Sequence, residues 1–139
     1  MKKLALTDFA KYRYPSALEL SPDGRYLTFA LKEVDREGDG YRWNLWLYDL
    51  ESRESRQITR GDDQRKAVWE DNTHILYKTT ELDEAMRARG FEEEWTVYHR
   101  LNVCTGEESE AFRLPMSVSG LWKMDEGRYV FTGETHLDR

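Results

Sequence analysis

Ser21-Pro22-Asp23-Gly24-Arg25-Tyr26-Leu27-Thr28-Phe29 reads as a polar turn running into an apolar, aromatic strand, and the chain repeats it twice. The second copy is Glu70-Asp71-Asn72-Thr73-His74-Ile75-Leu76-Tyr77, and the third is Met124-Asp125-Glu126-Gly127-Arg128-Tyr129-Val130-Phe131. Each is a polar turn around an Asp with a Gly or Asn, residues that tolerate positive φ, ahead of strand formers. That combination is the short-range signature of a hairpin.

A second landmark recurs in phase with the first. Asp49-Leu50-Glu51-Ser52-Arg53-Glu54 matches Asn102-Val103-Cys104-Thr105-Gly106-Glu107. Gly24 to Asn72 is 48 residues and Asp49 to Asn102 is 53, so the second unit carries five extra residues in its middle connection, between Thr80 and Trp95. A period of roughly 50 residues with about four strands per unit predicts β-propeller blades rather than helical repeats.

Residues 1–16 form a leading segment, in which Thr7 or Asp8 caps a short amphipathic helix that Pro15 ends. Blade one occupies 17–60, with strands expected at Ala17–Leu20, Arg25–Leu31, Trp43–Asp49 and Arg56–Thr59. Blade two occupies 66–115, with strands at Lys66–Glu70, His74–Thr80, Trp95–Val103 and Ser109–Leu114. Its insert Glu81–Glu94 is rich in helix formers, and Gly90 is placed to end a short helix there. An incomplete blade three occupies 118–139. The inner strands are apolar on successive residues, which calls for burial on both faces, as between neighbouring blades. The expected fold is therefore all-β, with about two and a half antiparallel four-stranded blades and a short N-terminal helix. A closed propeller takes about 4–8 blades. The chain is accordingly expected to be the N-terminal piece of something larger, or to assemble with copies of itself through its open blade edge.

The bulk numbers narrow the function classes. With 139 residues, 39% of them hydrophobic and 13% aromatic, the chain can bury a real core. A net charge of −6 argues against a nucleic-acid backbone as partner. The apolar run Leu4-Ala5-Leu6 is too short for a secretory signal, and no stretch approaches a membrane span, so a soluble cytoplasmic protein is expected. The lone Cys104 sits in an expected turn and reads as an ordinary reduced thiol.

The residues offer no nucleophile constellation. A Gly-x-Ser-x-Gly elbow is absent. His74, His99 and His136 are scattered, and His74 takes the place of Tyr26 and Tyr129 in the repeat, which suits a packed strand residue better than a general base. His99 and Cys104 have no companions at zinc-ligand spacing, and the Asp23 and Asp71 turns lack the register of a calcium loop. Gly38-Asp39-Gly40 lacks the Lys-Ser/Thr of a phosphate loop. Glu92-Glu93-Glu94 has the chemistry to hold a peptide's amino terminus, but a solvated end of the insert is the plainer reading. Trp43, Trp46, Trp69, Trp95 and Trp122 recur at blade strands and are read as core before ligand groove. No catalytic, cofactor-binding or metal residue is assigned.

The run Leu6-Thr7-Asp8-Phe9-Ala10-Lys11-Tyr12-Arg13-Tyr14-Pro15-Ser16, then Leu20 through Phe29, Asn44-Leu45-Trp46-Leu47-Tyr48-Asp49-Leu50 and Gln57-Ile58-Thr59, resembles the start of bacterial prolyl oligopeptidase family peptidases, nearest the acylaminoacyl peptidase-like branch. Glu94-Trp95-Thr96-Val97-Tyr98 and Ala111-Phe112-Arg113-Leu114-Pro115 extend the resemblance over essentially the whole chain. It implies a propeller placed before an α/β-hydrolase domain, restricting a Ser-Asp-His site to short or unfolded peptides. No family catalytic residue carries over, because the elbow would lie in that further domain. The amine-anchoring Glu pair of a related branch belongs to a later blade, so its role does not transfer to Glu92–Glu94. The alternative is a TolB-like propeller that serves as an interaction module with no enzyme domain.

Overall fold

The computed structural model describes residues 14–34, 40–82, 84–90, 94–125 and 128–134. The expected N-terminal helix, His136, Glu92 and Glu93 lie outside the described residues. In chain order the elements are β1 (Tyr14–Leu20), β2 (Tyr26–Val34), β3 (Tyr41–Asp49), β4 (Glu54–Gln57), β5 (Val68–Trp69) and β6 (His74–Leu82), then α1 (Glu84–Ala88), β7 (Glu94–Asn102), β8 (Glu108–Leu114), β9 (Ser117–Asp125) and β10 (Arg128–Glu134). They form two four-stranded antiparallel sheets, β1-β2-β3-β4 and β5-β6-β7-β8, and a two-stranded sheet of β9 and β10. β1 lies against β5 and β5 against β9, so the first strands of successive sheets are neighbours. This is a β-propeller arrangement of blades, all-β apart from α1.

The apolar runs are buried on both faces, as their continuity required. Tyr26 and Ala30 of β2 and Leu45 and Leu47 of β3 face the second sheet, meeting Ile75, Tyr77, Leu101 and Val103. Phe29 and Leu31 turn to the opposite face, beside Trp46 and Tyr48. In the second sheet, Leu76 and Tyr98 face the third and pack on Val118 and Leu121. Each fully buried aliphatic side chain of this kind contributes about 1.5–3 kcal/mol.

The two strands that flank the crossover differ from expectation for a shared reason. β4 ends at Gln57 rather than Thr59, and β5 is only Val68–Trp69 rather than Lys66–Glu70. The crossover between them is bound back onto β3 instead of continuing either ladder. Thr59 Oγ1 accepts the Leu45 N–H at 2.9 Å, and the backbones of Asp62 and Gln64 bracket Trp43. Asn44 completes the clasp: its Nδ2 donates to Asp62 Oδ1 at 2.9 Å, and its Oδ1 accepts the Asp62 N–H at 3.0 Å. Asp62 takes a φ of 71° within that clasp. β1 begins at Tyr14 rather than Ala17, and its register with β2 breaks between Ser16 and Glu19, where Ala17 has a φ of 52°.

Candidate functional site

The connections divide between two ends of the blades. At one end lie the tight turns 21–25, 50–53, 71–73 and 103–107. At the other lie the crossover 58–67, α1 with residues 89–90 after it, and residues 115–116 between the second and third sheets.

The turn end is built by side-chain caps. Asp23 accepts Ser21 Oγ–H at 2.7 Å and the Arg25 N–H at 3.1 Å, and these bonds hold its carboxyl below the usual range. Asp71 accepts the Thr73 and His74 N–H groups at 2.9 and 2.8 Å. His74 is half-buried with Nδ1 3.0 Å from the same carboxylate, so it serves the turn. Cys104 is an exposed free thiol whose Sγ lies 3.5 Å from the Tyr26 hydroxyl, a contact between the first two sheets. Arg56 also crosses this interface, donating to the Val103 carbonyl.

Glu70 joins the second and third sheets. Arg100 Nε and Nη2 donate to its two carboxylate oxygens at 2.5 and 3.0 Å, and the Tyr129 hydroxyl donates at 2.5 Å. Burial pushes the Glu70 carboxyl up, but the Arg100 and Tyr129 bonds outweigh it and hold the group below its ordinary value. Burial and the Glu70 carboxylate together push the Tyr129 phenol well up. On the other face of the second sheet, His99 stacks on Tyr77 with ring centroids 5.2 Å apart, and its Nε2 lies 2.8 Å from Thr79 Oγ1. Tyr77 donates to Glu108. These contacts hold His99 within the second sheet, on β7 against β6 and β8.

The opposite end holds a cleft of about 380 Å³ where the crossover, the second sheet and β9 meet. Its rim is Asp63, Arg65 and Lys66, and its wall is Val68, Lys78, Thr80, Tyr98, Ser119, Gly120 and Leu121. Lys78 and Tyr98 sit opposite each other on β6 and β7. Lys78 Nζ donates to the Val118 carbonyl. Tyr98 is 4% exposed and stacks on Phe112 at 5.0 Å. Burial alone pushes its phenol up to about 12.

The tryptophans divide. Trp69 is core, stacking on Tyr26 and donating from Nε1 to the Glu19 carbonyl at 3.1 Å. Trp122 departs from the core expectation: it is 48% exposed, with Lys66 Nζ 6.0 Å from its ring. A Cβ on Gly120 would fall 2.6 Å from the Trp122 ring, so the glycine gives the indole its seat. Glu94 is exposed at the start of β7, with Ser117 Oγ donating to it at 3.3 Å. Among the described residues no cluster of three or more His, Cys, Asp or Glu is placed to hold a metal ion. No helix among them is long and apolar enough to cross a membrane.

Sequence reasoning passed over Lys78 and Tyr98. The available signal was a lysine inside the apolar run His74–Leu82, where a charge on a doubly buried strand needs a polar outlet.

Successive four-stranded antiparallel sheets with adjacent first strands define the chain as part of a β-propeller. No protein-family model matches it, and no curated protein matches its sequence. In fold it is similar to the β-propeller domain of the Trilobed protease from Pyrococcus furiosus, described as having an open velcro topology. The TM-score is 0.57 at 12% identity over 81% of this chain. The chain spans 31% of that protein chain's length, and the likeness is one of fold.

Proposed function

We propose that this chain is the non-catalytic N-terminal propeller segment of a cytoplasmic serine peptidase of the prolyl oligopeptidase family, in the acylaminoacyl peptidase-like branch. The observation that supports the reading most is the arrangement of blades itself, which resembles the propeller domain of a protease. In this reading the segment forms part of the gate and wall of a chamber that admits short peptides. Its partners are the remaining blades and an α/β-hydrolase domain. The outward side of the third sheet, where Trp122, Met124 and Val130 are exposed, is where a further blade would pack. In isolation a second copy of the chain would take that place, giving concentration-dependent mass in sedimentation.

The deciding experiment is to recover the native protein from its source with an antibody to this chain and treat it with a serine-reactive fluorophosphonate. The reading expects a labelled protein of roughly 65–80 kDa, the size of a propeller plus an α/β domain, with the label outside residues 1–139. An unlabelled protein of any size would overturn it in favour of an interaction module.

A further inference from the structure

We propose that the cleft between the crossover, β6, β7 and β9 is a binding site for a carboxylate carried on an apolar body, of the kind a peptide's C-terminal residue presents. This stands on the chain alone and holds whether or not a hydrolase follows it.

The first argument is charge. The chain carries a net charge of −6, yet the cleft gathers Arg65, Lys66 and Lys78 against the single carboxylate of Asp63. Asp63 is engaged by Arg65 at 2.9 Å, with both side chains more than 60% exposed at the rim. Lys66 reaches Glu19 only at 3.8 Å. Lys78 has no carboxylate within ion-pair distance among the described residues; the Val118 carbonyl takes one of its three donors. A half-buried ammonium left with two donors and no counter-charge lacks an anion.

The second argument is an unengaged hydroxyl. Tyr98 is 4% exposed with its ring packed on Phe112. Its hydroxyl makes no hydrogen bond among the described residues and is open to solvent, since the buried unpartnered side-chain atom among them is Ser55 Oγ. Tyr98 lines the cleft wall, and its strand partner is Lys78. A neutral O–H donor and an ammonium on adjacent strands make a two-point grip for one carboxylate, and charge-assisted bonds of that type are the stronger ones.

The third argument selects the body behind the anion. Val68, Leu121 and the Tyr98 ring supply apolar wall, with the exposed Trp122 beside the rim. A fully hydrated phosphate gains nothing from such a wall, whereas a carboxylate attached to an aliphatic side chain buries that side chain against it.

The test titrates the 139-residue chain, by calorimetry and by tryptophan fluorescence, with N-acetyl-Ala-Leu carrying a free carboxylate, the same peptide as its C-terminal amide, 4-methylvalerate and inorganic phosphate. The free acid is expected to bind at least tenfold more tightly than the amide. Lys78→Met and Tyr98→Phe should each weaken the acid at least fivefold while leaving the amide unchanged, with native circular dichroism confirming the fold. Tyr98→Phe removes one oxygen and keeps the ring packing, so it remains informative if Lys78→Met fails to fold. If 4-methylvalerate equals the peptide acid, the carboxylate site stands and its source is a small organic acid. Equal binding of acid and amide, phosphate binding as tightly as the acid, or acid binding unaffected by Tyr98→Phe would each overturn the proposal.

Discussion

The two ends of the blades follow different rules. At the turn end the first two sheets repeat the same bonds around Asp49 and Asn102. Leu50 N donates to the Arg25 carbonyl at 2.9 Å, and Val103 N to the Thr73 carbonyl at 2.8 Å. Asp49 Oδ1 accepts from Glu51 and Ser52, and Asn102 Oδ1 accepts from Cys104 and Thr105. At the crossover end they diverge: one sheet is left through the Asn44 clasp onto Asp62. The other is interrupted by α1 and left through Pro115 and Met116, where Thr96 Oγ1 donates to the Met116 carbonyl at 2.6 Å and accepts the Val118 N–H at 3.1 Å. The difference teaches where constraint lies. Tight turns repeat because few residues satisfy their dihedral angles and donors. The crossover end is free of that demand, and the cleft with its cluster of cations is found there.

The largest effect should come from breaking the Asn44 clasp, which uses an amide where the second sheet uses the Thr96 hydroxyl. Asn44→Ala leaves the Asp62 N–H without its acceptor and Asp62 Oδ1 without its donor, in a residue 9% exposed. Losing a buried two-way hydrogen bond of this kind should cost about 2–3 kcal/mol, read as a lowered midpoint in urea unfolding. A loss below about 0.5 kcal/mol, the usual scale of surface changes, would mean the crossover is held by Thr59 and Gln64 alone.

A reciprocal pair sharpens the agreement at the turn end. Arg53 and Gly106 are equivalent, 53 residues apart, with φ of 61° and 82°. Each donates its N–H back to the residue four earlier, at 2.7 and 2.8 Å. An L-residue pays for the left-handed region by about 1–2 kcal/mol, partly offset by the lower entropy of its unfolded chain. Gly106→Ala meets no atom within 4 Å, so backbone alone sets its cost. It should destabilise by about 1 kcal/mol, and Arg53→Gly should stabilise by about 0.5 kcal/mol. Changes of the same sign in the two variants would show that the turns are not equivalent.

The contrast also explains what could be read in the sequence. Turn chemistry is local, so Asp23, Asp71, Asp49 and Asn102 announced the hairpins, and Gly90, at φ 87°, was legible as the end of the short helix. The cleft was not legible, because its parts come from four separate segments and meet only when β5, β6, β7 and β9 stack. Trp122 misled for a related reason. Composition places a tryptophan in the core, and only the sheet geometry shows that its side of β9 is half exposed, with no further sheet packed on it among the described residues. The shortening of β5 was likewise hidden, since Asn44 and Asp62 are 18 residues apart and nothing local links them.

The smallest expected effect tests whether the two Asp turns bear equal loads in acid. Burial pushes the Asp71 carboxyl up, but the Thr73 N–H, the His74 ring and the His74 N–H outweigh it and hold the group at about 2. An unfolded aspartate titrates near about 3.9. Because the folded value is the lower one, the stabilisation is fully present above the unfolded value and is lost as pH falls through 4 toward 2. Asp71→Asn keeps an acceptor for the backbone donors and removes the charge, so it should flatten acid unfolding in that window. Asp23 is lowered too, through Ser21 first and the Arg25 N–H second, with no imidazole in its turn. Asp23→Asn should therefore change the acid limb less than Asp71→Asn does, measured by circular dichroism between pH 6 and pH 2. An identical response would mean that the backbone N–H groups, not His74, set the Asp71 proton affinity, and the turn end would then be equivalent in its electrostatics as well as its geometry.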